Sequence, residues 1–322
     1  MKRLLLRARF AAFCRHVAAS SRPIVLGPWR SEVGFEVLYW LPFLRAIRAR
    51  YHWDRSRLIA LGRGGSGAWY DTPQVADLYD VTSFESIRLH TWAAHQRQQS
   101  TKQFGVEDWE RHAVALAAAN LGVSRPIMVH PSWMYRLLAP YWQDEMAEGG
   151  LKRNYEPAMI PPPPLPGNIT LPDTFVAMRL YARATMQPSE EVTLWARSVL
   201  ARIAARVPVV LLQSGQRYDD HVDLLQGDGQ RIVDLASVLV PATNLAVQSA
   251  VLGRASAFVG TYGGLAQLAV RMGIPTVAVY TEWQGTALAH VDLTQRLALA
   301  TQTPFLLARP KDLERLEGWG VL

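Results

Sequence analysis

The sequence predicts an α/β protein of two domains, each built on a parallel sheet, and three observations carry that expectation. Short apolar runs of strand length alternate almost regularly with helical patterns, the order that gives parallel sheets covered on both faces. Glycine-rich turns stand where strand patterns give way to helical ones, in Gly62-Arg-Gly-Gly-Ser-Gly67 and in Gly260-Thr-Tyr-Gly-Gly264. A proline tract, Pro161-Pro-Pro-Pro-Leu-Pro166-Gly167, separates the two alternating regions, and a segment so poor in backbone donors suits a connector. At 322 residues the chain also exceeds one typical compact domain.

Composition narrows the class further. With 49% apolar and 19% charged residues the chain can bury a large core, which excludes a predominantly disordered protein. It holds no uninterrupted apolar run of the roughly 18 residues a membrane-spanning helix needs. Cys14 is the sole cysteine, so an internal disulfide and a cysteine-based metal site are both excluded and a cytoplasmic address is expected. The net charge of +7 has one source. Lys2, Arg3, Arg7, Arg9, Arg15, Arg22 and Arg30 precede the first acid, Glu32, and the remaining 27 basic residues balance 27 acidic ones. A basic leader on a neutral body is not the footprint of a nucleic-acid groove, and no nucleic-acid partner is expected.

The elements follow in order. Residues 1–21 read as a helix, because Leu6, Phe10, Phe13 and Val17 recur at spacings of four, three and four. Such a helix packs on the body, or residues 2–19 lie on an anionic membrane surface and make the protein peripheral on the inner face. In a third reading the segment is a targeting peptide, although Arg7, Arg9 and Arg15 break the uncharged core a secretory signal needs. Residues 22–158 form the first α/β domain. It has strands near 23–27, 58–61 and 127–129 and a helix from Gly34 or Phe35 to about Arg50, with Pro42 bending it or marking its first turn. A further helix covers 107–121. Residues 159–172 are the linker. Residues 173–306 form the second domain, with strands at 175–180, 207–212, 231–235, 257–259 and 276–280 and helices at 190–205, 245–252 and 264–272. Residues 307–322 form a tail helix.

The strongest chemical signal runs from Ala257 to Tyr280. An apolar strand ends at Gly260, the chain turns through Thr261, Tyr262 and Gly263, and a helix starts at Gly264. The first amides of a helix lack internal acceptors and carry positive partial charge, so a phosphate or pyrophosphate accepts from them. Thr261 and Tyr262 add candidate hydroxyl donors, and Gln267 joins this set. The alternative is an ordinary strand-to-helix turn.

This stretch, with Gly273-Ile-Pro275 after it, resembles the C-terminal signature of GT-B enzymes such as bacterial heptosyltransferases, related fucosyltransferases and UDP-N-acetylglucosamine 2-epimerases. In the first domain, Val33-Gly-Phe-Glu-Val-Leu-Tyr-Trp-Leu-Pro42 looks like the heptosyltransferase first-helix pattern of Gly-Asp, apolar residues and Leu-Pro. The match has one extra residue after glycine, and Glu in place of Asp. The resemblance implies two Rossmann-like domains facing across a cleft, a nucleotide-diphosphate sugar donor, and Glu36 at the position of the family's acid. The departure keeps Glu32 as a competitor.

A transferred sugar needs an acceptor hydroxyl to lose its proton, which is the work of Glu36 or Glu32. In the structural alternatives, Glu32 caps the helix or pairs with Arg30, and Glu36 is a first-turn acid favoured by the helix dipole. The departing diphosphate needs positive charge, and Arg179 and Arg183 stand at the carboxyl end of the second domain's first strand. Surface ion pairing is the alternative for both. No metal site is expected, since Asp219-Asp220-His221 sits in a polar segment, and no cofactor is expected. Trp29, His130, Trp133, Tyr135 and Trp142 line an acceptor cleft or belong to the core. Gln216, Arg217 and Asp234 are weaker candidates for base or ribose. Residues 64–67 lack the lysine of a phosphate loop and read as a flexible acceptor loop. The expected activity is metal-independent transfer of a sugar to a surface-glycan or lipid-linked acceptor, with a nucleotide-sugar epimerase or a non-catalytic nucleotide-sugar-binding protein as alternatives.

Overall fold

The structure, a computed structural model, describes residues 2–83, 85–90, 102–143, 151, 153–183, 185–214, 221–225, 227, 229–283 and 287–318. The chain divides into two compact units, Met1–Ala158 with Pro241–Ala246, and Met159–Val240 with Val247–Leu322. Each is mixed α/β around a parallel sheet.

The first unit holds strands β1 (Ile24–Leu26), β2 (Leu58–Gly62), β3 (Gln74–Asp77) and β4 (Ile127–Val129) in the order β3-β2-β1-β4. β1 pairs in parallel with β2 (Ile24 beside Leu58) and with β4 (Ile24 beside Ile127). β1 and β2 are buried throughout, so they read as continuous apolar runs. β3 is the edge strand with Gln74 and Val75 exposed, which hid it from a search for apolar runs. Because the chain proceeds outward from β1 to β3 and then returns to the other side at β4, the strand order reverses between β1 and β4.

Helix α1 (Lys2–Ala19) packs on this unit. Phe10, Cys14 and Val17 are buried, and the Phe10 ring lies 5.4 Å from that of Phe43 and 5.2 Å from that of Trp133. The Trp53 indole donates to the Cys14 carbonyl at 3.2 Å. The apolar stripe of the leader is therefore core.

A short helix α2 (Val33–Phe35) runs into a π turn (Glu36–Trp40) and then into α3 (Leu41–Tyr51). Pro42 stands in the first turn of α3, which continues from the π turn without leaving helical backbone angles, so the proline lies within one helical run and not at a free helix start. A π turn holds one residue more than an α turn, and it falls just after the extra residue in the glycine–acid spacing. Helices α4 (Asp108–Asn120) and α5 (Ser132–Trp142) follow in this unit.

The second unit holds six parallel strands in the order β12-β11-β10-β5-β7-β9. They are β5 (Val176–Arg179), β7 (Val209–Leu211), β9 (Ile232–Asp234), β10 (Ala257–Thr261), β11 (Thr276–Val279) and β12 (Phe305–Ala308). A two-stranded antiparallel ribbon, β6 (Tyr181–Ala182) with β8 (Val222–Asp223), follows β5. The helices are α6 (Glu190–Arg206), α7 (Asn244–Leu252, whose first three residues belong to the first unit), α8 (Gly264–Arg271), α9 (Ala287–Ala300) and α10 (Pro310–Gly318). Met178, Trp195, Leu200, Leu211 and Val279 share one buried cluster. The C-terminal segment enters the sheet as β12 before turning helical at Pro310, so residues 307–322 are not helical from their start.

Gly273 ends α8 with φ +79, a left-handed conformation glycine adopts without strain, and Pro275 follows where no donor is needed. The chain runs β5, β7, β9 to one side and resumes at β10, β11, β12 on the other. The order of this sheet therefore reverses between β5 and β10. Among the described residues no helix is long and apolar enough to cross a membrane.

Candidate functional site

In open parallel sheets ligands bind beyond the carboxyl ends of the strands, at the point where strand order reverses. In the second unit that point joins two of the sequence-derived candidates. Gly260 of β10 stands in register beside Arg179 of β5, and a Cβ on Gly260 would lie 2.6 Å from the Arg179 carbonyl oxygen. Just beyond, α8 opens at Gly264, and helix geometry leaves the amides of Gly264, Leu265 and Ala266 without intrahelical acceptors.

The side chains of the turn have other duties. Thr261 Oγ1 donates to the Tyr181 carbonyl and accepts from the Tyr181 amide, both at 2.9 Å. Tyr262 is 4% exposed, its hydroxyl 3.3 Å from Thr294 Oγ1 and 3.4 Å from Gln267 Nε2, and burial pushes its pKa up to about 12. Neither hydroxyl is placed to donate to a ligand, which corrects that expectation; the turn's donors are its backbone amides. Gln267 Oε1 is buried without a partner among the described residues. A Cβ on Gly263 would collide with the Tyr181 hydroxyl, so this glycine makes room for a tyrosine of its own unit.

Arg179 Nε pairs with Asp223 Oδ1 at 3.3 Å, and its guanidinium lies 5.3 Å from the Tyr181 ring centre. Arg183 sits in a tight backbone exchange with Met186, each amide donating to the other's carbonyl. Asp234, at the end of edge strand β9, accepts from Gln213 Nε2 at 2.5 Å and from the Ala236 amide at 2.9 Å. Gln216, Arg217, Asp219 and Asp220 lie outside the described residues. No cluster of three or more potential metal ligands occurs among the described residues.

In the first unit, Glu36 lies in the interior at 0% exposure. Its Oε1 accepts from the Tyr70 hydroxyl at 2.7 Å and from Ser66 Oγ at 3.0 Å, while Oε2 is buried with no partner among the described residues. Burial drives its pKa up to about 7 against the Tyr70 and Ser66 hydrogen bonds and the charge of Arg63, with Asp77 adding to the rise. Glu36 is thus a first-turn acid of the π turn that is buried and tied to hydroxyls. Tyr70 and Asp77 were not singled out in the sequence, and Arg63 and Ser66 entered only as members of the 62–67 turn; the signal was the polar residues that follow β2 and end β3.

Glu32 occupies the N-cap of α2 and is half-buried, but makes no side-chain cap bond. Its charge opposes the lowering of the Lys102 pKa by burial, and that ammonium stands 4.7 Å from the Phe35 ring centre. Arg30 Nε and Nη2 pair with Glu110 at 3.0 Å and Glu107 at 3.1 Å. Around them, Gln103 Nε2 donates to Glu110 at 2.9 Å and to the Pro28 carbonyl at 2.8 Å. The Ser132 amide donates to His130 Nδ1, so Nε2 carries the hydrogen that His130 gives Glu110 Oε2 at 3.1 Å. This network braces the turn after β1 against the turn after β4.

Trp29, Tyr135, Trp142 and His130 are buried, and Trp133 packs on Phe10 and Phe13, so these rings are core. The 62–67 turn is packed too. The amides of Gly64 (φ +60) and Gly65 (φ +81) hold the Asp77 carboxylate at 3.1 and 2.7 Å, the cradle a phosphate would otherwise fill. A Cβ on Gly65 would strike Ala246, which replaces the expected flexible loop with a close approach.

No protein-family model matches the sequence, and neither does any curated protein. Among solved structures, the chain is similar to a family 9 glycosyl transferase from Veillonella parvula, with 12% identity, 94% of this chain and 90% of that one covered, and a TM-score of 0.43. It is similar to E. coli heptosyltransferase WaaC with ADP, at 14% identity, 89% and 93% coverage and TM-score 0.43. A UDP-GlcNAc 2-epimerase from Methanocaldococcus jannaschii matches at 10% identity, 89% and 88% coverage and TM-score 0.38.

Proposed function

We propose that the chain is a glycosyltransferase that moves a sugar from a nucleotide-diphosphate donor to a hydroxyl of a surface-glycan or lipid-linked acceptor, without a metal. The observation that carries this reading is Glu36: a fully buried carboxylate with one oxygen held by two hydroxyls, the other unpartnered among the described residues, and a pKa of about 7. A general base works best with a pKa near the operating pH, and a carboxylate fixed on one side presents the other to a proton.

In this reading Glu36 Oε2, buried in the structure, is uncovered as the acceptor binds and takes the proton of the acceptor hydroxyl as that oxygen bonds to the anomeric carbon. The bond from that carbon to the diphosphate breaks, and the electron pair leaves with the diphosphate. The second unit holds that group at its strand-order reversal, where the amides of Gly264 and Leu265 donate to phosphate oxygens and Arg179 and Arg183 offset the charge that develops. Arg179 is favoured by its register beside Gly260. Backbone donors and guanidinium groups take the role a metal plays elsewhere.

A second reading places the base at Glu32. Its partial exposure and its position at the carboxyl edge of the first sheet favour it.

The test is a thermal-shift panel of UDP, GDP and ADP with their sugar conjugates, since a ligand that binds only the native state raises Tm. One family of nucleotides is expected to raise it, with the shift reduced in Arg179→Ala. A panel without any shift would sink the donor assignment. Product analysis then separates the classes: transfer, epimer formation without an acceptor, or tight binding without turnover.

A further inference from the structure

Helix α1 carries two apolar stripes. Phe10, Cys14 and Val17 face inward, at 4%, 0% and 0% exposure. On the opposite side Leu5, Ala8 and Ala12, spaced by three and four, are exposed, and Leu4 and Leu5 stand 71% and 52% open. At about 100° per residue, Arg9 and Arg15 flank this outer stripe about 60° to either side. Both arginines are exposed, as are Arg3 and Arg7, and the helix contains no acid.

Single exposed leucines are ordinary on a protein surface. Here Leu5 begins a stripe that needs no polar partner, with Leu4 open beside Arg15 at its edge, and the flanking cationic side chains can reach past it to phosphate. The concentration of charge agrees, since the rest of the chain is nearly neutral. We propose that this outer face seats the protein on an anionic lipid bilayer, leucines entering the headgroup boundary and arginines meeting lipid phosphates. The inner stripe stays in the core, so the helix need not leave its unit to bind. A second copy of the chain is the poorer occupant, because isologous pairing of this face would set arginines against arginines. Duplex nucleic acid would use the arginines and leave the leucines unserved.

The inference is independent of the chemistry proposed above. It is tested by co-sedimenting the full-length protein with vesicles of phosphatidylcholine alone and of phosphatidylcholine with phosphatidylglycerol. Deleting the helix would expose the core around Phe43 and Trp133, so point variants are used: Arg9→Gln with Arg15→Gln, and Leu5→Ser. Wild type is expected to bind only the anionic vesicles, less so as salt rises. The arginine pair should weaken binding about five-fold per residue, and Leu5→Ser should weaken it with Tm unchanged. Equal binding to both vesicles, or no loss in the arginine variant, would overturn the proposal. So would tighter binding to duplex DNA than to vesicles at the same salt, or self-association in sedimentation that Leu5→Ser abolishes.

Discussion

Tyr70 donates its hydroxyl hydrogen to Glu36 across 2.7 Å in the interior of the first unit, joining the segment after β2 to the π turn before α3. Removing that hydroxyl removes the larger of the two hydrogen bonds that favour the ionised carboxylate. Tyr70→Phe is therefore expected to raise the Glu36 pKa above its value of about 7, moving the acid limb of the pH–rate profile to higher pH. A profile of kcat/KM against pH checks this. Ser66→Ala should shift it in the same direction by less.

Glu36 also sets a pH dependence of stability. Its native pKa of about 7 stands above the ordinary 4.5, so between those values the native state binds the extra proton and stability falls as pH rises. Glutamine keeps the acceptor for Tyr70 and Ser66 without the charge. Well above pH 7, Glu36→Gln is expected to be more stable than wild type, by at most about 3 kcal/mol, and near pH 4.5 the difference should vanish. Urea unfolding at the two pH values measures it.

Glu110 has the opposite sign. Burial alone would raise its pKa, but His130, Arg30 and the Glu107 amide outweigh burial and hold it below the ordinary range. Its stabilisation is present above that range and is lost as pH falls through the lowered value. Glu110→Ala leaves the buried Arg30 guanidinium without its Nε partner and is expected to cost about 3–5 kcal/mol, read by denaturant unfolding near neutral pH.

The turn at Gly263 allows a paired test. Its φ is extended and open to any residue, so the obstacle to a side chain is the Tyr181 hydroxyl alone. Gly263→Ala is expected to lower Tm, and adding Tyr181→Phe should restore most of the loss. A double-mutant cycle gives the coupling. If the alanine is equally harmful in both backgrounds, the close approach is not its cause.

Much of the architecture was legible because parallel strands buried on both faces are written as apolar runs: Ile24–Leu26, Leu58–Gly62, Val209–Leu211 and Thr276–Val279 stand out for that reason. Gln74–Asp77 did not, since an edge strand with one buried residue has no such run. Glu36 was legible through its distance from Pro42. Its surroundings were not, because Ser66, Tyr70 and Asp77 reach it or its neighbours only through the pairing of β2 with β3. The hydroxyls of Thr261 and Tyr262 misled for a related reason: sequence shows a hydroxyl beside a glycine turn, but only the strand pairing shows the backbone and core groups that already use it.

The base assignment is tested most directly by the release of nucleoside diphosphate from the donor that raises Tm most, in the presence of acceptor, for wild type and Glu36→Gln. Glu36→Gln is expected to lose about 100-fold or more in rate with nucleoside-diphosphate affinity unchanged. Turnover at the wild-type rate in Glu36→Gln, with the loss appearing in Glu32→Gln instead, would contradict it.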